Sequence, residues 1–181
     1  LAVYPIVRTG LSVSNSREAS IIKIEFETHG EISLKELNLD DLTFFLGESS
    51  YETQYLYLWL HHFLESVHVV ISDDEYYSLD IKNVESIGWS SEDGILPYPK
   101  NVYEGYRLLH EYLAFPDGFN FIRIKNLHSC LGAVTGKKFT LNLRFNRPLP
   151  DDIRVTKEHM KIHCVPAINL FKHDADPIDL D

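Results

Sequence analysis

The central feature of the sequence is one proline-bounded stretch, Gly94-Ile-Leu-Pro-Tyr-Pro followed, after four residues, by Glu104-Gly-Tyr-Arg-Leu-Leu-His-Glu-Tyr-Leu-Ala-Phe-Pro116. Pro97 and Pro99 fix their own φ angles and favour extended geometry in the residues before them, so a stiff extended segment is predicted to enter this stretch. Pro116 disfavours helical geometry in the residue that precedes it. One helix is therefore predicted between the prolines.

Apolar residues cover most of the circumference of this predicted helix. One face carries Val102, Tyr106, Leu109 and Leu113, and the face beside it carries Leu108, Tyr112 and Phe115. Such a distribution predicts a buried helix. The remaining polar strip holds Glu104, Arg107 and Glu111, in which Arg107 can pair with a carboxylate on either side along the helix.

Outward from this helix, alternating and β-branched runs predict strands at 20–26, 42–46, 67–71, 77–81, 119–124, 139–145 and 157–166. A second largely apolar helix of about four turns is predicted after a capping box formed by Ser49 and Glu52. The fold class predicted is α+β, with a mainly antiparallel or mixed β-sheet and two buried helices in a single domain that spans residues 1–181.

Composition excludes several classes of protein. With 44% hydrophobic residues the chain can bury a sizeable core, and its net charge of −10 argues against a nucleic-acid partner. No apolar run approaches the ~20 residues that span a bilayer, so the chain is not expected to be membrane-embedded. Two cysteines, Cys130 and Cys164, without an Asn-x-Ser/Thr acceptor favour the cytoplasm.

Two parts of the sequence hold residue types that are used in catalysis or ligand binding. His159, His163 and Cys164 would suit a metal-assisted hydrolase if they lay on a helix, but on the predicted strand the two imidazoles would stand roughly 13 Å apart, too far to share an ion. Trp89 is predicted to anchor its loop in the core, with a small-ligand-binding module as the alternative. The sequence therefore predicts no catalytic residue, no metal site and no cofactor.

Two segments together resemble a known family. The residues that carry the resemblance include Leu96, Pro97, Tyr98, Tyr106, Leu109, Phe115 and Pro116, and then Asn169, Leu170, Phe171 and Pro177 in the C-terminal segment. In these residues the chain resembles TssF, also called VasA or ImpG, a baseplate subunit of the type VI secretion system.

The resemblance implies a structural component of a contractile baseplate wedge, which works by protein–protein assembly and is not an enzyme. It implies a TssG-like subunit, further TssF copies and other baseplate components as partners, at the secretion machine near the inner membrane. It also implies that the chain is an internal fragment of a longer polypeptide.

Residues 165–171 are expected to dock in a groove as an extended arm, with the Asn169 amide bonded to backbone groups.

Overall fold

The computed structural model describes residues 3–99 and 101–169. Within these ranges it contains eight strands and four α-helices: β1 (Ile6–Asn15), β2 (Ser20–Thr28), α1 (Leu34–Leu37), β3 (Leu42–Phe45), α2 (Tyr51–His62), β4 (Leu64–Ser72), β5 (Glu75–Leu79), β6 (Val84–Ser86), α3 (Glu104–Ala114), β7 (Phe121–Ile124), α4 (His128–Leu131) and β8 (Lys138–Phe145). A short 3-10 helix, Pro116–Phe119, joins α3 to β7. The predicted α+β class is confirmed.

The strands form two antiparallel sheets that face each other across one core. The larger sheet has the order β1-β2-β8-β4-β5 and the smaller one the order β3-β7-β6. Alternate residues of the central strands, such as Ile24 opposite Leu141, point into the core and are fully buried. Phe26 of the larger sheet contacts Phe44 of the smaller one, with ring centroids 6.1 Å apart.

Helix α2 forms as the sequence predicts, but it is buried on one side only, with Leu58 40% exposed, and it begins at a different cap. Ser50, rather than Ser49, caps its N-terminus by accepting a hydrogen bond from the backbone N–H of Thr53. The backbone N–H and hydroxyl of Ser49 both bond the carboxylate of Asp117 instead. The predicted capping box is therefore wrong by one residue.

Helix α3 is not buried in the way that its apolar residues predict. Its only two buried residues are Arg107 and Glu111, whereas Tyr106 and Leu109 are exposed. The predicted end of the helix is correct, since it stops at Ala114, two residues before Pro116. The error lies in the orientation, because a buried ion pair holds the polar side inward.

The strand predicted at 157–166 is absent from the part of the chain that the structure describes. Residues 157–163 form turns and bends, with a single antiparallel bridge between Phe45 and Lys161. Met160 and His163 have positive φ angles of 56° and 61°, which a strand cannot accommodate. Met160 is fully buried although it lies in a bend rather than a strand. Its apolar side chain contributed to the alternation that predicted the strand.

Strands β1 and β6 were not predicted, because most of their residues are exposed or only half-buried and therefore do not alternate clearly. At the other end, Asn169 is exposed, and the bonding of its amide to backbone groups stays a prediction. The predictions for Leu170, Phe171 and Pro177 lie outside the described residues. Among the residues described, no helix is both long and apolar enough to cross a membrane.

Candidate protein-interaction surface

The outward side of α3 and its entry presents a cluster of large apolar side chains, here called the α3 face. Its members are between 41% and 76% exposed: Val102, Tyr103, Tyr106, Leu109, Tyr112 and Leu113. The rings of Tyr103 and Tyr106 meet edge to face, with centroids 6.0 Å apart. Scattered exposed apolar residues are ordinary, but a contiguous group of this size marks a binding surface.

A buried ion pair fixes the opposite side of the helix. Arg107 donates to the carboxylate of Glu111 at 2.7 Å, four residues along the helix, and both side chains are at least 96% buried. The other oxygen of Glu111 accepts hydrogen bonds from the backbone N–H groups of Ile95 and Leu96, each at 2.9 Å. Arg107 also donates to the carbonyl of Ser90. The pair therefore fastens α3 to the preceding loop by its polar side.

The loop from Ile87 to Pro99 holds the polar side of α3. The backbone of this loop is itself constrained at Gly88. Gly88 has φ of 101°, and an added Cβ would stand 3.2 Å from both the Gly118 carbonyl and the Phe119 ring. A carboxylate oxygen of Asp93 accepts the N–H of Gly88 at 3.1 Å. Glycine is therefore required at this turn for its backbone geometry and for the close approach.

A chain of side-chain hydrogen bonds ties the same loop to α2. Trp89 donates to the hydroxyl of Tyr57 at 2.9 Å, and that hydroxyl lies 2.8 Å from Ser86 Oγ, which in turn lies 2.8 Å from His61 Nε2. The His61 ring packs against Tyr57, and this partial burial, together with the neighbouring His62, lowers the pKa of His61. Trp89 is an anchor as predicted, but it is half exposed and rests on Phe119 rather than in the core.

The described residues that carry the family resemblance lie mainly on α3 and in the loop beneath it. Leu96 and Tyr98 are half-buried in the loop beneath α3, whereas Pro97 is exposed. Phe115 is half-buried at the end of the helix and Pro116 beside it is exposed. Tyr106 and Leu109 lie on the α3 face itself. Sequence reasoning placed these two residues on the correct side of the helix but assigned that side to the core.

The three residues of the possible hydrolase site are each engaged with nearby backbone. His159 Nδ1 accepts from the N–H of Thr156, His163 Nε2 lies 2.9 Å from the carbonyl of Ile6, and Cys164 Sγ donates weakly to the carbonyl of Ile162. Burial lowers the pKa of His159. Within the described ranges, no three His, Cys, Asp or Glu side chains converge as metal ligands do.

Comparison with known proteins gives consistent similarities. A family model described as "Type VI secretion system, TssF" matches residues 5–181. The type VI secretion system component TssF1 of Pseudomonas aeruginosa is 30% identical over 175 residues, which cover 94% of this chain and 28% of that protein.

A solved structure gives the same result for the fold. A chain in the cryo-electron microscopy structure of a type VI secretion TssK-TssF-TssG baseplate subcomplex superposes with a TM-score of 0.82 at 25% identity. That match covers all of this chain and 34% of the other. The present chain thus spans about a third or less of the length of the relatives it matches.

Proposed function

This chain belongs to the TssF family of type VI secretion proteins, and from that premise we propose that it is a structural part of a contractile baseplate wedge. It acts by assembling with other proteins and catalyses no reaction. Its partners are a TssG-like subunit, further TssF copies and other baseplate components, as the make-up of the similar TssK-TssF-TssG subcomplex suggests. The chain forms a single domain of a longer polypeptide and works in the cytoplasm.

The observation that carries this proposal is the α3 face. A fully buried aromatic side chain contributes about 150–250 Å² of contact area, so three exposed tyrosines and three aliphatic residues offer several hundred Å². A stable interface takes roughly 800 Å² from each partner. Tyrosine is also among the residue types enriched at interface centres. The α3 face therefore has the composition, and supplies a large part of the area, of one half of an assembly interface.

The buried ion pair gives the α3 face a second property that an assembly surface needs. Because Arg107 and Glu111 hold the underside of the helix, the apolar side chains are presented outward on a fixed backbone. A surface that is already ordered loses less conformational entropy when a partner docks. This pre-organisation supports an assembly role, because the fold holds these apolar side chains in solvent in a fixed arrangement.

A substitution on the α3 face tests the proposal. In the full-length protein, Tyr106→Ser removes a ring that is 64% exposed, and Tyr76→Ser on β5 removes one that is 62% exposed, as a matched control. The affinity for purified TssG-like and TssK-like subunits is measured for both variants by biolayer interferometry. Loss of a central tyrosine costs at least about 2 kcal/mol, so Tyr106→Ser is expected to weaken one of the two complexes roughly thirtyfold.

The control decides what such a loss means. Tyr76→Ser is expected to bind like the unmodified protein, and both variants are expected to keep the same melting temperature because each ring is largely in solvent. Unchanged affinity of Tyr106→Ser for both subunits, in a folded protein, contradicts the assignment of the α3 face to assembly.

A further inference from the structure

The outer edge of β1 carries backbone groups that are free to pair with another strand. In the antiparallel register, β2 residues bond β1 and β8 alternately, and the bond from the N–H of Thr28 to the carbonyl of Lys137 shows that even-numbered β2 residues face β8. Odd-numbered residues therefore face β1, where they pair with Ser12 and Ser14. The N–H and C=O groups of the residues between these, Leu11 and Val13, point away from the sheet.

No backbone partner for Leu11 or Val13 occurs on that outer side among residues 3–99 and 101–169. The edge is nevertheless held at both of its ends. Arg8 donates to the carbonyls of Lys157, His159 and Met160, and the amide of Asn15 both donates to and accepts from the backbone of Leu149. Between these two attachments, the edge lies open.

A groove lies alongside the open part of β1. Its volume is 430 Å³, and it is lined by Val13, Asn15, Leu149 and the segment 153–156. The apolar part consists of buried Leu149 and Ile153, half-buried Val155 and exposed Val13. Arg154 is exposed and is the one charged side chain among the described residues that line the groove. The groove thus offers backbone hydrogen bonds, apolar contact and one positive charge.

We propose that a single extended segment of a partner protein adds to β1 as a sixth strand of the larger sheet. About six residues, or roughly 20 Å of extended chain, fit between the attachments at Arg8 and Asn15. The segment has apolar residues at alternate positions, which contact Val13 and Val155, and a carboxylate that pairs with Arg154. This mode of recognition takes affinity from backbone hydrogen bonds and specificity from alternate side chains.

A second copy of this chain does not fit the same place. Residues 149–156 flank the edge of β1, so the sheet edge of another folded copy would bring its own flanking segment into the same groove. A lone extended segment has no such flank. The net charge of −10 also opposes close approach of two whole copies, whereas a short segment with a single carboxylate can pair locally with Arg154.

Proline at Val13 tests the proposal directly. Proline is tolerated on an edge strand where the N–H faces away from the sheet, so Val13→Pro removes one outward donor while the fold is kept. Val13→Thr is the matched control, because threonine has the same branched shape and retains the N–H group. The probe is an array of overlapping 15-residue peptides that covers the TssG-like and TssK-like subunits and the remainder of the full-length chain.

Full-length protein is applied to this array, and each bound peptide is then titrated in solution. We expect at least one partner-derived peptide with alternating apolar residues to bind the unmodified protein and Val13→Thr equally, and to bind Val13→Pro at least tenfold more weakly. Arg154→Glu is expected to produce a similar loss, and it provides the same test if the proline variant does not fold.

Three results overturn the proposal: no peptide binds, a bound peptide is insensitive to both variants, or binding is confined to peptides from the chain itself. None of these results bears on the α3 face, which lies on a separate element and is tested by Tyr106→Ser. A failure of the β1 site and a failure of the assembly role are therefore distinguishable.

Discussion

Replacement of Glu111 by alanine is expected to destabilise the protein far more than replacement of the leucine two residues before it. Glu111→Ala removes a carboxylate that accepts hydrogen bonds from Arg107, Ile95 and Leu96, and it leaves the buried guanidinium with the Ser90 carbonyl and a longer contact to Glu104. Breaking a buried ion pair from one side costs about 3–5 kcal/mol. Leu109→Ala is expected to cost under about 1 kcal/mol, since 58% of Leu109 is already exposed.

Urea-induced unfolding followed by circular dichroism gives both free energies of unfolding. The double variant Arg107→Met with Glu111→Leu serves as a second control. It leaves no unpaired buried charge but still removes the acceptor for the N–H groups of Ile95 and Leu96, so its loss of stability is expected to be smaller than that of Glu111→Ala but not zero. The reasoning is refuted if Leu109→Ala costs more than Glu111→Ala, because that result would place the apolar side of α3 in the core, where the amino-acid pattern alone put it.

Three further outcomes follow from other contacts. Burial lowers the pKa of His61 and His159, so the folded state resists their protonation. The stability that these two neutral histidines contribute is expected to be complete above about pH 6.5 and to fall as the pH decreases below it, and thermal melts should show a shallower fall for His159→Gln. Met160→Ala is expected to cost about 2–5 kcal/mol in urea unfolding, because Met160 is fully buried; a loss below about 1 kcal/mol would contradict that burial. Trp89→Phe is expected to cost about 0.5–1.5 kcal/mol by losing its bond to Tyr57, and a double variant with Tyr57→Phe should lose more, because it also removes the bond between Tyr57 and Ser86.

Most of the strands could be predicted because their side chains alternate between one core and solvent. Residues 20–26 and 139–145 show this pattern clearly, and the structure pairs them in the centre of the larger sheet. Edge strand β1 could not be found in this way, since most of its residues are exposed or half-buried and do not alternate clearly. The open groove beside β1 could therefore not be predicted either.

The orientation of α3 could not be predicted from amphipathicity. A hydrophobic stripe indicates which side of a helix differs from the other, but not whether the stripe meets the core of its own domain or a partner. The pairing of Arg107 with Glu104 and Glu111 was predicted and is confirmed. The burial of the pair could not be predicted, because it depends on hydrogen bonds from the backbone N–H groups of Ile95 and Leu96 to Glu111. The amino-acid pattern of the helix holds no information about these contacts.

The position of β8 in the larger sheet governs the order in which the chain can fold. Strand β8 pairs with β2 on one side and with β4 on the other, although more than one hundred residues separate Phe26 from its partner Phe139. Until residues 138–145 have left the ribosome, the β1–β2 and β4–β5 hairpins have no common neighbour and their apolar faces stay open. Long-range pairing of this kind slows folding. The nascent chain therefore needs protection from aggregation until β8, the central strand of the larger sheet, has been synthesised.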